Sequence, residues 1–402
     1  MKIKNLILTL LFIFSLIGTA QTSKDGKEMK KIISENFSFA AKQYQYLEKS
    51  CPLDSMPKTF LNNRHVNSDA YWWCSGFYPG TLLYIYEYTK NPTILADAKK
   101  RLETLEPVKT FTGNHDLGFM MFCSFGNAFR LTQDPVYKEV ILESAKSLAT
   151  RYRPNAKVIQ SWEITDGGLL QKGFVGPVII DNMMNIEMLE WASRNGGDKK
   201  FAFIAETHAN TTIKNHFRPD YSSYHVLDYN LDTGEVRKKV TAQGAADTSA
   251  WSRGQSWALY GYTMMYRFTK DPAYLKQAQG IAKFILDHPN LPKDKIPYWD
   301  FDAPEIPNTL RDVSSASINA SAFLELGQYT SGREKQEYIK VAKTILESLS
   351  SSKYRAKLGA NGGFLLLHSV GSIPHKSEID APLTYADYYF LEALLRYQKW
   401  YL

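Results

Sequence analysis

Apolar residues recur at helical spacing in about twelve stretches of this chain, near residues 27–49, 75–90, 93–105, 116–132, 135–152, 181–194, 199–216, 252–268, 272–287, 313–330, 334–351 and 380–401. Between them runs a repeated phrase: YTKNPTIL from Tyr88, LTQDPVYK from Leu131, FTKDPAYL from Phe268 and a looser YTSGREKQEY from Tyr329. In the first three, Thr closes one helix and Asp or Asn caps the next. Pro stands at the first turn, where a missing N–H costs nothing. RNGGDKKF from Arg194 does the same with Gly as the stop signal. A helix–turn–helix phrase recurring at such spacings predicts stacked helical hairpins, six of them, as an open solenoid or a closed toroid.

The long segments 50–72, 153–180, 217–251, 289–312 and 352–379 are rich in Trp, Gly, Asp and Pro. Connections of that length in a compact domain are functional or disordered, and their aromatic, strand-like content argues for order. YHVLDYN and VRKKV around the turn LDTGE predict a β-hairpin. The expected architecture is one all-α domain over 21–402, with the long loops gathered at one rim.

Residues 1–20 change the compartment. MKIKN is a short basic start, LILTLLFIFSLIG is apolar, and GTAQ offers a cleavage point after Ala20. This pattern predicts a secretory signal peptide. No Cys follows for a lipid anchor, because Gln21 and Thr22 stand there. The expected location is therefore periplasmic or extracellular, with no membrane attachment of the mature chain. About 380 residues then remain, enough for one large domain.

Composition adds 8 Trp, 25 Tyr and 21 Phe, an excess that suits stacking on sugar faces, and a net charge of +7, which suits a polyanionic partner. The lysines are dispersed, so nucleic acid is not an expected partner. Three cysteines without a CxxC pair allow at most one disulfide and support no zinc ribbon, and the eight histidines lack ligand spacing. No metal or other cofactor is expected.

The unusual polar residues cluster where long loops open into helices. GPVIIDNMMNIEML runs an apolar stretch straight into Asp181; TGNHDLGFMMF brings Asn114 and Asp116. TAQGAADTSAWSRGQSWALYGY brings Gln243, Trp251, Arg253, Gln255 and Trp257, and SDAYWWCSGFYPG brings Trp72 and Trp73. Taken singly, each has a structural reading: Asp181 or Asp116 as a helix cap, His115 as a surface residue, Trp251 and Trp257 as core, Arg253 paired with Asp247. Taken together, alternating inner and outer helices would put all of them on one rim, with two carboxyls in an aromatic pocket. Such a pair pushes one pKa up and keeps a neutral acid available.

The phrases IIDNMMNIEML, NHDLGFM, WSRGQSWALYGY, SGFYPG and ADYYFLEALLR resemble the unsaturated glucuronyl hydrolases of glycoside hydrolase family 88, nearly end to end over the mature chain. The resemblance implies an (α/α)6 barrel, in agreement with the helix count. It implies Asp181 as general acid/base and Asp116 as its essential partner. It also implies sugar contacts from Trp73, Asn114, Trp162, His225, Gln243, Arg253 and Trp257. One departure is Ala242, where many members have His before the Gln.

The implied substrate is an oligosaccharide ending in a 4,5-unsaturated uronic acid, as polysaccharide lyases leave it; glycosaminoglycan, ulvan, gellan and xanthan fragments all qualify. The acting unit would be a monomer or homodimer. Rival readings are an unsaturated rhamnogalacturonyl hydrolase, an inverting glycosidase on the same toroid, and a secreted glycan-binding helical repeat. Finally, LHSVGSIPHKSEID from Leu367 is a polar loop before the last helix. Ser372, His375 and Lys376 there suit a sulfate or carboxylate, with Ser372 the expected contact; the alternative is a turn whose Asp380 caps the helix.

Overall fold

The computed structural model describes the backbone over 2–164 and 171–402 and side chains over 26–164 and 171–402. The expected leader 1–20 lies outside the residues whose side chains are described. Among the described residues no helix is long and apolar enough to cross a membrane.

The repeated phrase folds as it reads. In its first copy Thr89 gives its hydroxyl to the Ile85 carbonyl and accepts the Asn91 N–H, while Lys90 between them turns left-handed (φ 57°). Asn91 Oδ1 then caps the next helix by accepting the Thr93 N–H, with Pro92 at its first position. Thr132–Gln133–Asp134 and Thr269–Lys270–Asp271 repeat these bonds. A left-handed residue between a C-terminal Thr and an N-cap Asp or Asn reverses the chain within a few residues. Each reversal lays an outer helix along an inner one.

The inner ring consists of Phe77–Thr89, Gly118–Gly126 continued by Asn127–Thr132, Asn182–Asn185 with Glu187–Arg194, Ser252–Thr269, Val313–Tyr329 and Thr384–Tyr401. Each packs on the next, and the last packs on the first, so the ring closes. Outside it lie Lys2–Ser50, Pro92–Leu105, Pro135–Ala149, Lys200–His216, Pro272–Asp287 and Gly332–Leu349. Burial follows this order: Val313–Tyr329 is apolar or small on nearly every side and buried along its length, whereas Gly332–Leu349 buries one face only. The fold is the expected all-α, six-hairpin (α/α)6 toroid.

The structure corrects several helix boundaries: the first helix runs from Lys2, the fifth ends at Ala149 with Tyr152 in a strand, and three others change further. Residues 116–132 begin with a π-helix over Gly118–Gly126 rather than a continuous α-helix. Gly118 there lies so close to Asn185 that a Cβ would come within 2.4 Å of its Cα. Residues 181–194 break at Ile186 into two short helices. The last helix starts at Thr384 instead of 380, because Ser377–Ala381 pairs antiparallel with Ser369–Ser372.

The long segments place short sheets at the N-terminal ends of the inner helices. Met56–Leu61 pairs with Arg64–Ser68. The predicted hairpin forms as Val226–Tyr229 with Val236–Val240. A third strand, Pro177–Ile179, adds to its other side, so the apolar run before Asp181 is a sheet strand.

Candidate active site

Strand Pro177–Ile179 and the bond from the Ile180 N–H to the His225 carbonyl (3.1 Å) deliver Asp181 to the rim. Asp181 occupies the helix-cap position, but its side chain makes no capping bond, and Oδ2 has no hydrogen-bond partner although it is buried. The cap reading of Asp181 is therefore wrong. Asp116 arrives on a segment tied to the same loop: the Asn114 backbone bridges to Trp162, and the His115 N–H bonds the Ser161 carbonyl. Asn114 Oδ1 accepts the Asp116 N–H at 2.8 Å.

Asn185 joins the two acids. Its Nδ2 lies 3.3 Å from Asp116 Oδ1 and 3.5 Å from the Asp181 carbonyl, while its Oδ1 accepts the Phe119 N–H. One helical turn from Asp181 to Asn185 puts both residues on one face. The two carboxyls are each only 8 % exposed. Burial pushes Asp181 up to about 7, although Arg253 pulls the other way. Burial, and then the charge of Asp181, push Asp116 up to about 8. The neighbouring charge thus acts on Asp116; Asp181 stays protonated mainly because it is buried.

Two histidines flank the pair, and the hydrogen-bond network assigns their tautomers. Asn182 Nδ2 donates to the Ile159 carbonyl and Ser161 Oγ, so its Oδ1 accepts from His115 Nδ1 (2.7 Å). His115 Nε2 is then a bare lone pair, 3.5 Å from Asp116 Oδ1. His225 is the converse. Its Nδ1 accepts the N–H groups of Ala242 and Gln243, both at 3.1 Å, so Nε2 carries the proton and stands 3.9 Å from Asp181 Oδ2. Burial holds both imidazoles neutral: His115 falls to about 3, and His225 lies well below its ordinary value. His115 is fully buried, which corrects its reading as a surface residue. Ala242 acts here through its main chain, and its methyl packs against Phe174, Ile179 and Val226.

Arg253 does not pair with Asp247. Its Nη1 reaches Asp312 Oδ2 at 3.2 Å and the Val370 carbonyl at 2.5 Å; its Nη2 reaches Gln243 Oε1 at 2.9 Å and the Gly371 carbonyl at 2.6 Å. Its guanidinium also lies over the rings of Trp251 and Tyr385. Trp251 in turn packs at a tilt against His225, 4.5 Å between centroids. Asp312 had not stood out in the sequence, being a cap of Val313–Tyr329 through the Ser314 N–H. It balances the Arg253 charge and leaves Asp181 without a direct cation.

Trp73 packs edge-on against Phe119 and at a tilt against Tyr385, and Trp162 edge-on to His115. Trp257 is fully buried among Phe119, Tyr385 and Tyr389, with its Nε1 unpartnered. Gln255 braces Ser223 and the Tyr221 carbonyl. Trp72 is exposed to solvent, with Lys58 over its ring. Ser372 follows Gly371 at the end of the strand that Arg253 holds, and its hydroxyl bonds His375 Nδ1 at 2.7 Å. Asp380 caps no helix; it pairs with His368 at 2.7 Å. Tyr385, whose hydroxyl is buried and unpartnered, is the further site residue the sequence reading passed over. Its signal was the start of the last inner helix, TYADYYF.

Among the described residues no group of three or more His, Cys, Asp or Glu side chains is placed to hold a metal ion, and the three cysteines are free thiols. The arrangement offers a protonated buried carboxyl, a second carboxyl beside it, an oriented neutral N–H and aromatic walls. That set can protonate a weakly basic atom of a sugar and then activate water.

The model of Glycosyl Hydrolase Family 88 matches residues 53–269. An unsaturated glucuronyl hydrolase from Formosa agariphila is 41 % identical over 404 residues, covering 99 % of this chain and 98 % of that protein. A crystal structure of an unsaturated glucuronyl hydrolase specific for heparin superposes with a TM-score of 0.88 at 41 % identity, covering 92 % of this chain and 97 % of the other. The enzyme of Bacillus sp. GL1, responsible for the degradation of glycosaminoglycan, gives a TM-score of 0.84 at 28 % identity with the same coverage.

Proposed function

The chain belongs to glycosyl hydrolase family 88, and on that premise we propose how its buried carboxyls work. The protein is a glycoside hydrolase of the unsaturated glucuronyl hydrolase type, removing a 4,5-unsaturated uronic acid from the non-reducing end of lyase-made oligosaccharides.

The double bond between C4 and C5 makes the terminal sugar a vinyl ether, which opens by protonation of carbon. Asp181 gives its proton to C4. Positive charge develops at C5 beside the ring oxygen, next to the carboxylate just formed. Water adds to C5 as Asp181 takes its proton back. The hemiketal opens to a C5 ketone, and C1 then releases the remaining sugar, leaving an open-chain keto acid. Acid–base help of this kind contributes about a hundred- to ten-thousand-fold. Asp116 is the partner that Asn185 holds beside Asp181, and His225 presents its N–H to the sugar. Trp73, Trp162 and Asn114 line the approach, Gln243 and Arg253 shape it, and Trp257 supports it from beneath. The observation that carries this reading is Asp181 itself: a buried, protonated carboxyl with a free Oδ2, beside a second acid.

Heparin-type fragments are the substrate we favour, because a relative 41 % identical is specific for heparin. A panel of unsaturated heparin and chondroitin disaccharides, followed by loss of alkene absorbance, ranks them. The leader-like segment 1–20 puts the reaction in the periplasm or outside the cell; the N-terminal sequence of the exported protein checks this. For the chemistry, Asp181→Asn should bind substrate and lose turnover, and heavy water should leave deuterium at C4 of the keto acid. Retention of a tenth of kcat by the variant, or solvent oxygen at the anomeric carbon of the leaving sugar, would overturn it.

A further inference from the structure

The sheet that delivers the active site has one unpaired edge, Val236–Val240, whose sequence is VRKKV. Its three strands lead directly into the site: Pro177–Ile179 runs to Asp181, Val226 follows His225, and Val240 precedes Ala242 and Gln243. Val240 packs with Phe174 and Trp162. Lys238 is two residues further out, about 7 Å along the strand, with its ammonium 5.0 Å from the Phe174 ring and bonded to the main-chain carbonyl of Lys172. Lys239 bonds the Asn215 carbonyl and faces Tyr224, whose ring also carries Arg218 at 3.9 Å.

These cations share one property. Lys172, Arg218, Lys238 and Lys239 have no carboxylate within ion-pair distance among the described residues; where bonded, they meet carbonyls, hydroxyls and rings. The acids nearest these cations are bonded to other groups, Asp220 to the Ser222 N–H and hydroxyl among them. Asp228 holds Arg237 and two amides, Glu163 holds Arg151, and Asp247 accepts the Thr241 N–H. Some lysines elsewhere sit beside acids, as Lys146, Lys283 and Lys353 do; what sets these cations apart is that they are gathered on or beside a strand leading into the site.

We propose that this edge is a docking rail for the anionic sugars beyond the one held at Asp181, so that sulfated or carboxylated chains longer than a disaccharide are gathered along Lys238 and Lys172, on the face that Val240 shares with Phe174 and Trp162. The proposal rests on the substrate reading above. Uncompensated cations beside a cleft raise the local concentration of a polyanion and its on-rate, and salt removes the effect. The competing explanation is that lysines on an edge strand only keep it from pairing with another chain; that role predicts no kinetic signature.

The test compares Lys172→Glu/Lys238→Glu with wild type on an unsaturated heparin disaccharide and an unsaturated heparin hexasaccharide. At about 50 mM salt, kcat/KM for the hexasaccharide should fall by roughly tenfold or more, while that for the disaccharide stays within about twofold. The wild-type salt dependence for the hexasaccharide should flatten in the variant. Equal losses on both substrates, or unchanged salt dependence, would overturn the rail. Lys172→Gln/Lys238→Gln gives the same comparison without reversed charge, should the first variant melt lower. If wild type turns over neither substrate, the function reading fails separately. Calorimetric binding of the hexasaccharide to wild type and variant then still decides the rail.

Discussion

A carboxyl that donates a proton near neutral pH must be kept from losing it near pH 4, and here burial does this to both acids. The sign of the pH dependence follows. Asp181 works as an acid only while protonated, so kcat/KM should be level below about 7, where its pKa lies, and fall tenfold per pH unit above it. An alkaline limb set about three units lower would show that Asp181 titrates as an ordinary aspartate. The same shift has a stability cost. A carboxyl whose folded pKa is raised favours folding below its unfolded value, and that benefit is lost as pH climbs through the folded one. Asp116→Asn should therefore raise stability at pH 9 by an amount on the order of a few kcal/mol, read as a higher melting temperature, and leave it unchanged near pH 4, while lowering activity. At this scale the two aspartates were legible, Asp181 because an acid after an apolar run is conspicuous, and Asp116 because it opens a helix after a long loop in a phrase that resembles the family. His115, Asn182 and Asn185 were not, since their roles come from which lone pair faces which acid, and only the folded network fixes that.

Among the elements, the helix order was legible, and the three junctions carrying the Thr–x–Asp/Asn–Pro phrase were placed within a residue or two, because it encodes both the stop and the start of a helix in local bonds. What escaped was set by partners distant in sequence. Strand Pro177–Ile179 exists because Val226–Tyr229 lies beside it. The last helix is shortened because Ser377–Ala381 finds Ser369–Ser372. That hairpin is the most interesting element for specificity, because Arg253 grips its Val370 and Gly371 carbonyls and so fixes its tip against the site. Ser372, bonded to His375, and the exposed loop of Lys376 stand at that tip. Changing Ser372, His375 and Lys376 together to Ala should alter the ratio of kcat/KM between sulfated and unsulfated unsaturated disaccharides and leave the pH limb of Asp181 in place. A constant ratio with an unchanged melting transition would mean that the tip merely closes a hairpin.

Over the whole molecule the toroid has two ends that use the same ingredients to opposite effect. At the catalytic end Arg253 is drawn to Asp312 and to carbonyls, so the buried Asp181 keeps a high pKa. At the other end, around a cavity of about 500 Å³, Arg267 and Arg396 both reach Glu325, at 2.7 and 2.9 Å. Burial pushes Glu325 up, but the two guanidinium groups outweigh it and hold it below the usual range. Arg267 also reaches Glu187, and Arg396 reaches Glu392 and the Tyr260 hydroxyl. Four inner helices are thereby linked across the far mouth. Glu325→Gln leaves two arginines short of a counter-charge. Breaking such a buried pair costs about 3–5 kcal/mol, and the partial exposure of Arg267, 32 %, favours the lower figure. The variant should melt at a lower temperature. Arg253 and Arg267 ride on one helix, Ser252–Thr269, fourteen residues and about 20 Å apart, so kcat/KM below the transition and the alkaline limb near pH 7 should be unaffected. A shifted limb in Glu325→Gln would show instead that the ring of charges at the far mouth helps set the proton affinity of Asp181.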